Sequence, residues 1–328
     1  MKSILALFLT LCCAANLYGQ DEALPTTQYG RPDLQGTWWY GSRTPLQRAE
    51  HLGEQRAFSI EEVKQIETRM GERNTALFAP LAPDRGAPEK GAAIRQEADD
   101  NFLSHFQDPA LVPIGSEYRT SIIVSPANGR LPKAPSSKTS IATEKSIPPS
   151  DVDGPEGQPL SGRCLAFGAA IPSLTPIMMN PNLQIVQTKD YLMIMTEMVH
   201  DARIIRLHEK ASPPKPSFDK WMGDSTGYWD GETLVINSRN FRPEQTSLGR
   251  AAASAQLEII ERLTLVDAGS ILYGFEVRDP LAFSEPVIGE RMLTRNDTND
   301  RLYEFACHEG NYSLTYILQG ARVQERGQ

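Results

Sequence analysis

The sequence predicts a mainly β fold, with an antiparallel barrel-like core, a helical excursion near the N-terminus and a C-terminal helix. Short runs rich in β-branched residues, separated by polar turns, fill the chain from Leu183 onward. Asp230-Gly231 stands between two such runs, and glycine accepts the positive φ of a tight hairpin turn. Because successive strands are joined by short turns, a closed or strongly curled sheet is favoured, since closure removes exposed edges.

Residues 1–19 have the pattern of a secretory signal peptide. Lys2 precedes an apolar run from Ile4 to Ala15, and small residues follow up to Gly19. No other apolar run is long enough to span a bilayer. We therefore expect residues 20–328 to form a single periplasmic or secreted module without an integral membrane segment. The formal net charge of −8 argues against a nucleic-acid partner, because such proteins carry basic patches.

The N-terminal part of the module covers residues 29–131. Gly36-Thr37-Trp38 is a Gly-x-Trp tripeptide, which resembles the first strand of lipocalin-type barrels. Ser59 to Asn74 is predicted to be helical, because Ser59 and Glu62 have the spacing of a capping box and apolar residues recur on one face. Thr120 to Val124 is a short strand candidate.

Residues 132–160 are rich in Pro, Ser, Lys and Gly, which predicts a long surface loop or a linker. Residues 161–328 form the β-rich core and the terminal helix, which we place at Asn311 to Glu325 from its apolar stripe. The strand candidates of the core are Leu183–Gln187, Tyr191–Met195, Arg203–Leu207, Tyr228-Trp229, Thr233–Ile236, Leu257–Val266, Ile271–Val277, Val287–Thr294 and Leu302–Cys307.

Two cysteines, Cys164 and Cys307, remain once the signal peptide is removed. In an oxidising compartment an even pair suggests a disulfide. Two separate buried thiols are the alternative, because a sequence does not show whether the two positions lie close together.

Eight sequence blocks are spread over nearly all of the chain after the signal peptide. They are GRPDLQGTW (30–38), SPANGRLP (125–132), GRCLAFGAAIP (162–172), LQIVQTKDY (183–191), EMVHDARII (197–205), WMGDSTGYWDGETLVI (221–236), ERLTLVDAGSILYGFEVRDP (261–280) and YEFACHEGNY (303–312). In this order and spacing they resemble a large group of secreted bacterial proteins of unknown function. The resemblance implies one continuous module and no particular activity.

The first candidate catalytic cluster contains Glu197, His200, Asp201 and Arg203. A histidine beside a carboxylate can act as a general base, because its pKa lies near neutrality and the acid can orient its ring. Arg203 is a candidate ligand for a carboxylate or a developing oxyanion. The alternative is structural: a strand-end turn in which His200 and Asp201 bond to the backbone and Arg203 pairs with an acid.

The second candidate cluster follows Cys307. His308 and Glu309 are candidate catalytic residues, and Tyr312 is a candidate ligand contact at the barrel mouth. A thiol nucleophile is disfavoured, because neighbouring strand residues face opposite sides and a disulfide would silence the thiol. A composite site of His200, His308 and acids is a further possibility for a metal. The chain lacks H-x-H, H-E-x-x-H and C-x-x-C spacings, so we predict no metal and no cofactor.

Aromatic residues surround a polar Asp-Ser pair in the third candidate site. Aromatic rings beside polar groups can form the floor of a pocket for a sugar or another ring compound, and the alternative is a core segment followed by a turn. The predicted ligand-binding residues here are Trp221, Asp224, Tyr228 and Trp229.

These features predict a secreted protein that handles a small organic molecule in the mouth of a lipocalin-like barrel. One hypothesis is a cofactor-independent lyase, isomerase or hydrolase, with His200 as base and Asp201 orienting it. The alternatives are a non-catalytic lipocalin-like binding protein and an envelope structural protein. A catalyst needs His200 and at least one acid or arginine to converge in a cavity, whereas a carrier needs an apolar cavity with those groups outside it.

Overall fold

The computed structural model has a closed nine-stranded barrel at its centre, which confirms the predicted mainly β, barrel-like fold. It describes residues 23–77, 111–132, 152–166, 171–175, 180–215, 218–242, 244–245, 248, 253–296 and 301–327. Within these ranges the strands are β1 (Gly36–Trp39), β2 (Ala57–Phe58), β3 (Tyr118–Arg119), β4 (Ile123–Ser125), β5 (Asn182–Gln187), β6 (Tyr191–Thr196), β7 (Ala202–His208), β8 (Asp224–Asp230), β9 (Thr233–Arg239), β10 (Glu258–Asp267), β11 (Ser270–Arg278) and β12 (Val287–Arg295).

The barrel runs in the order β1, β5, β6, β7, β8, β9, β10, β11 and β12, and β12 pairs with β1 to close it. Trp38 lies at the closure, where it pairs with Leu183 of β5 on one side and Arg295 of β12 on the other. β4 also pairs with β12, and β2 and β3 form a separate two-stranded sheet. Closure gives every barrel strand two neighbours, as the short turns predict.

One pair of barrel neighbours departs from the predicted antiparallel arrangement. β7 and β8 are parallel, and their register runs from Ile205 opposite Ser225 to His208 opposite Tyr228. A parallel pair needs a crossover connection, because the chain must return to the end at which the first strand began. Residues 209–223 supply it. The parallel pair and the ninth strand distinguish this barrel from the eight-stranded up-and-down barrel of lipocalins.

The barrel interior is a packed core. β11 illustrates its construction, because Ile271, Tyr273, Phe275 and Val277 alternate along the strand and are all buried. This is the two-residue period expected of a strand with one buried face. Inward residues of the other barrel strands join the same apolar cluster, so side chains fill the barrel.

Both predicted helices are present. α1 (Ile60–Leu77) begins with the predicted capping box, in which the Ser59 N–H donates to Glu62 Oε2 at 2.7 Å and the Glu62 N–H donates to Ser59 Oγ at 3.2 Å. α2 (Tyr312–Arg326) is capped by Asn311, whose side chain accepts a hydrogen bond from the main-chain N–H of Leu314 at 3.3 Å.

The disulfide prediction is confirmed. Cys164 and Cys307 are bonded, with their Cα atoms 5.8 Å apart and a sequence separation of 143. The bond fixes the start of the C-terminal segment to residues 152–166. Two side chains reinforce this link: Asn311 Nδ2 donates to the Gly162 carbonyl at 2.8 Å, and Arg322 Nη2 donates to the Val152 carbonyl at 2.9 Å.

One strand prediction is wrong, since Leu302 to Cys307 has no strand structure. The barrel already closes between β12 and β1, which leaves no free edge for a further strand. The Tyr303 N–H donates instead to Glu197 Oε1 at 3.1 Å. The candidate Thr120 to Val124 is replaced by the two shorter strands β3 and β4.

Two sequence predictions fall on parts of the chain outside the description. The signal peptide (1–19) and most of the loop at 132–160 lie beyond the described residues. Within the described ranges, no helix combines the length and apolar character needed to cross a bilayer.

Candidate functional site

A groove of about 400 Å³ lies where β7 and β8 begin, and we call it the β7–β8 groove. This volume falls within the range of about 300–1,000 Å³ that small-molecule sites occupy. The ladder between the two strands starts at Ile205 and Ser225, and most of the groove lining lies at or before these positions on β7, β8 and the crossover. Its main lining side chains are Tyr191, Ile204, Arg206, Lys220, Met222 and Asp224.

Two cations share one carboxylate in this groove. Arg206 Nη1 and Nη2 donate to the two oxygens of Asp224 at 3.2 and 3.0 Å, and Lys220 Nζ donates to Asp224 Oδ1 at 3.1 Å. Burial opposes ionisation of Asp224, but hydrogen bonds from Arg206 and Lys220 outweigh it and hold the pKa of this carboxyl below its usual value. Asp224 is therefore charged at neutral pH, and the three groups carry one net positive charge.

Apolar groups stand beside these charges. The Tyr191 ring is 51% exposed and the Ile204 side chain is 54% exposed. Met222 adds a third, partly buried apolar group to the lining. An exposed apolar surface next to a cationic pair suits a molecule that has an acidic group and an apolar body.

Arg203, a predicted catalytic residue, points into the barrel and pairs with Glu261 of β10. Its Nη1 and Nη2 donate to the two Glu261 oxygens at 2.6 and 2.8 Å, and the Tyr273 hydroxyl donates to the same carboxylate at 2.7 Å. Burial alone would lower the pKa of Arg203, but the adjacent Glu261 carboxylate raises it above its usual value. This geometry matches the structural alternative for Arg203, an ion pair with an acid.

Glu197, the second acid of the predicted cluster, is also buried in a structural arrangement. It accepts hydrogen bonds from Asn180 Nδ2 at 3.1 Å, from Asn182 Nδ2 and from the main-chain N–H of Tyr303 at 3.1 Å. These contacts connect the start of β5 to the segment that follows the barrel. The main-chain N–H of His200 donates to the Glu197 carbonyl at 3.2 Å. Among the described residues, neither the Glu197 carboxylate nor the Arg203 guanidinium bonds to the His200 side chain.

His200 and Asp201 lie on a strained turn between β6 and β7. Val199 has φ 68° and His200 has φ 49°, and a positive φ at a β-branched residue costs on the order of 1–3 kcal/mol. The turn is held by Thr196, whose N–H donates to the Asp201 carbonyl at 3.2 Å and whose hydroxyl donates to the Met198 carbonyl at 3.0 Å. His200 is exposed as a result.

The carboxyl of Asp201 is half-buried beside this histidine. Burial raises the pKa of Asp201, and the positive charge that His200 carries when protonated partly offsets the rise. The next residue, Ala202, lines the β7–β8 groove. Neither His200 nor Asp201 is among the lining residues, although Arg203 of the same predicted cluster is.

The remaining predicted site residues are dispersed. His308 and Glu309 are exposed on the turn that follows the disulfide and do not line the groove. Of the predicted ligand-binding residues, Asp224 alone lines it. The others lie elsewhere: Trp221 on the crossover, Tyr228 and Trp229 farther along β8, and Tyr312 at the start of α2.

The segment from Gly223 to Gly227 has Gly-x-Ser-x-Gly spacing, a motif that the sequence analysis missed. In hydrolases this motif places an exposed nucleophilic serine on a strand-to-helix turn. Here the segment runs into a continuing strand, and Ser225 is buried with its Oγ 2.8 Å from Ser238 Oγ. A Cβ at Gly227 would lie 3.1 Å from side-chain atoms of Ile205, so the second glycine allows the parallel strands to approach.

Comparison with known proteins adds no assignment, because no family model, curated protein or solved structure matches the chain. The resemblance to secreted bacterial proteins stays a prediction. Over the described ranges, no cluster of three or more His, Cys, Asp and Glu side chains has the arrangement of a metal site.

Proposed function

We propose that this protein binds a small amphipathic organic anion in the β7–β8 groove, and that it does so outside the cytoplasm. The observation that carries the proposal is the convergence of Arg206 and Lys220 on Asp224 at the edge of a cavity of about 400 Å³ with apolar walls. The predicted signal peptide and the Cys164–Cys307 disulfide support the location, because disulfides persist in oxidising compartments.

Arg206 and Lys220 can bind a ligand while they are paired with Asp224. A guanidinium has five N–H donors and an ammonium three, and Asp224 takes only two from Arg206 and one from Lys220. Both side chains are about two-fifths exposed. Asp224 holds them in place, so a ligand carboxylate or other oxyanion meets donors that are already oriented.

The apolar walls favour a ligand with a hydrophobic body. Tyr191 offers a ring face or edge for stacking, and Ile204 and Met222 offer aliphatic and thioether surface. A purely inorganic anion would leave these groups in water. An organic acid of moderate size gains from both parts of the groove.

A titration with matched acids and amides tests this proposal. Aromatic and branched aliphatic carboxylates, each with its neutral amide, are added to the ¹⁵N-labelled protein. Binding of the acids should shift the backbone N–H signals of β7 and β8. The acids should bind at least about tenfold more tightly than their neutral amides, a difference of about 1.4 kcal/mol in binding free energy. Arg206→Gln should remove the preference for the acid.

Arg262→Gln is the matched control, since Arg262 is a similarly exposed arginine on β10, away from the groove lining. It should bind like the unmodified protein. Equal affinity for acids and amides, or an equal effect of both arginine substitutions, would contradict the proposal.

A second candidate function is catalysis on the bound molecule, with His200 as the base and Asp201 orienting it. The strained Val199-His200 turn supports it, because strained backbone concentrates at functional sites. Acids that bind are incubated with the protein and followed by mass spectrometry. His200→Ala should lower any turnover by about 10²–10⁴-fold while the groove still binds. A His200→Ala protein that is destabilised yet fully active per folded molecule would rule this function out.

A further inference from the structure

The outward face of β5, β6 and β7 is apolar, although much of it is exposed to solvent. Leu192 and Ile194 of β6 are buried in the barrel core, so the residues that alternate with them face outward. Among the outward positions of these three strands, Arg206 is the only Asp, Glu, Lys or Arg, and it lines the β7–β8 groove. We call the apolar outward side chains the outer strip, and they are Val186, Tyr191, Met193, Met195, Ala202 and Ile204.

Strand pairing makes the outer strip continuous. Met193 stands directly opposite Val186 of β5 on one side and Ile204 of β7 on the other. Directly opposed residues of an antiparallel pair have their side chains on the same face. Val186 is 40% exposed and Ile204 is 54% exposed, and Tyr191 lies opposite Arg206 in the next outward row. A row of apolar side chains therefore leads from the groove across three strands.

The chemistry of this surface indicates what kind of molecule covers it. The barrel interior is filled by side chains, so the apolar surface that a ligand can contact lies on the outer wall. One end of the strip meets Arg206 and Lys220, which together with Asp224 carry one net positive charge. A positive end and an apolar remainder are complementary to a molecule with an anionic head and a linear apolar tail.

The length of the strip predicts the length of the tail. Val186 lies two strands away from Arg206 and is offset from it by two residues. Neighbouring strands are about 4.8 Å apart, and two residues along a strand span about 6.7 Å, so this path is about 12 Å long. Because three bonds of an extended chain advance about 3.5 Å, a tail of roughly ten carbons reaches from the groove to Val186.

We propose that the groove and the outer strip together bind a free linear monocarboxylate of about ten to twelve carbons, that is, a medium-chain fatty acid. This inference rests on the proposed function, because the carboxylate occupies the β7–β8 groove. The carboxylate accepts hydrogen bonds from Arg206 and Lys220, and the alkyl tail lies over Ile204, Met193 and Val186.

A second copy of this chain matches the surface less well. A stable protein–protein interface uses about 20–30 residues from each partner, whereas the outer strip consists of six side chains. A single alkyl tail covers a row of this width.

A chain-length series tests this inference separately from the proposed function. Linear carboxylates from hexanoate to tetradecanoate, each beside its neutral amide, are titrated as monomers into the ¹⁵N-labelled protein. Affinity should rise about twofold per added methylene, roughly half the gain of complete burial, because the wall contacts the tail on one side only. The rise should level off near dodecanoate, and the N–H signals of β5 should shift with the long acids but not with hexanoate.

The series distinguishes failure of this inference from failure of the proposed function. If every acid binds more tightly than its amide, but all acids bind equally well, the proposed function stands and the outer strip is not part of the site. If acids and amides bind equally well, the proposed function fails and this inference fails with it.

Val186→Asp tests the far end of the strip, because it places a negative charge where the tail ends. It should weaken dodecanoate binding by about tenfold and leave hexanoate binding unchanged. Val266→Asp is the matched control, since Val266 is a similarly exposed valine on β10, away from the groove lining. It should bind every acid like the unmodified protein. Equal losses of dodecanoate binding in the two variants would contradict the assignment.

Sedimentation velocity without ligand tests the competing occupant. The unmodified protein should remain a monomer at the concentrations of the titration. A dimer that Val186→Asp dissociates and Val266→Asp does not would show that the outer strip is an interface between two copies, and would overturn the proposal.

Discussion

Two buried arginines of the barrel, Arg203 and Arg291, have their positive charges stabilised in different ways. Arg203 on β7 meets the carboxylate of Glu261, so its charge is cancelled inside the core. Arg291 on β12 meets three carbonyl oxygens, so its charge is solvated but not cancelled. The pKa of each follows: it is raised for Arg203 by the neighbouring carboxylate, whereas burial lowers it to about 10 for Arg291.

The two arginines also connect different kinds of chain segment. The Arg203 pair connects regular strands whose own ladders are complete, since β7 and β10 lie in the barrel wall. Arg291 instead holds irregular chain against the barrel, because the carbonyls of Tyr40, Ser173 and Thr175 belong to segments outside the strands. A guanidinium can replace the missing ladder partner of such carbonyls, since its donors fan out in one plane.

The largest loss of stability should come from breaking the Arg203–Glu261 ion pair. Glu261→Gln leaves Arg203 buried without a counterion, and removing one partner of a buried ion pair costs about 3–5 kcal/mol. Urea unfolding at pH 7 measures this loss. Glu258→Gln, on the same strand but paired with partly exposed Arg239, should cost less than about 1 kcal/mol. Similar losses in the two variants would show that the buried Arg203–Glu261 pair contributes no more to stability than the more exposed Arg239–Glu258 pair.

The disulfide should contribute the next largest effect, because it holds the C-terminal segment covalently where the arginines hold segments by hydrogen bonds. Reduction of Cys164–Cys307, or Cys307→Ser, should lower the free energy of unfolding by about 2–5 kcal/mol, since the bond closes a loop of 143 residues. Urea curves with and without reductant measure it. The double variant Cys164→Ser/Cys307→Ser should not respond to reductant. A reductant effect that persists in this variant would assign the loss to another cause.

Arg291→Met should cost less than Glu261→Gln. It leaves three carbonyl oxygens without this donor, at a cost of about 1–3 kcal/mol, but it also removes an uncancelled buried charge. The measurement is urea unfolding at pH 7. A loss larger than that of Glu261→Gln would reverse the comparison between the two arginines.

Local signals in the sequence were enough to predict the regular elements. The Ser59 and Glu62 capping box predicted the start of α1, and Asp230-Gly231 predicted the β8–β9 hairpin, where Gly231 indeed has φ 61°. The alternation along β11 predicted its buried face. Each of these signals lies within a few residues, so no knowledge of distant contacts was needed.

Features that depend on distant partners could not be predicted in the same way. The parallel β7–β8 pair follows a connection whose Pro and Gly residues look like those of any loop. Arg206 and Lys220 look like ordinary surface charges until the crossover brings them to Asp224. One signal was available: Glu261 occupies an inward position of β10, and a buried acid requires a buried cation.

The smallest effect concerns two carboxylates, Asp224 and Asp201, which differ, as the two arginines do, in the charged groups beside them. Asp224 has two cationic partners and a lowered pKa, whereas burial raises the pKa of Asp201, with only His200 to offset it. A raised pKa in the folded state favours folding at low pH. That contribution is lost as the pH rises above the usual value of 3.8 and through the folded value. The charge on Asp201 therefore opposes folding at neutral pH.

Asp201→Asn removes that charge, so the variant should gain stability relative to the unmodified protein as the pH increases from about 3 to 7. The gain should stay below about 1 kcal/mol, because solvent screens a half-exposed carboxylate. Urea unfolding at several pH values measures the difference. His200→Ala should make the pH dependence of the remaining Asp201 steeper in the same direction, since it removes the one offsetting charge. A difference that grows as the pH falls would mean that Asp201 has a stabilising partner, and its contrast with Asp224 would no longer hold.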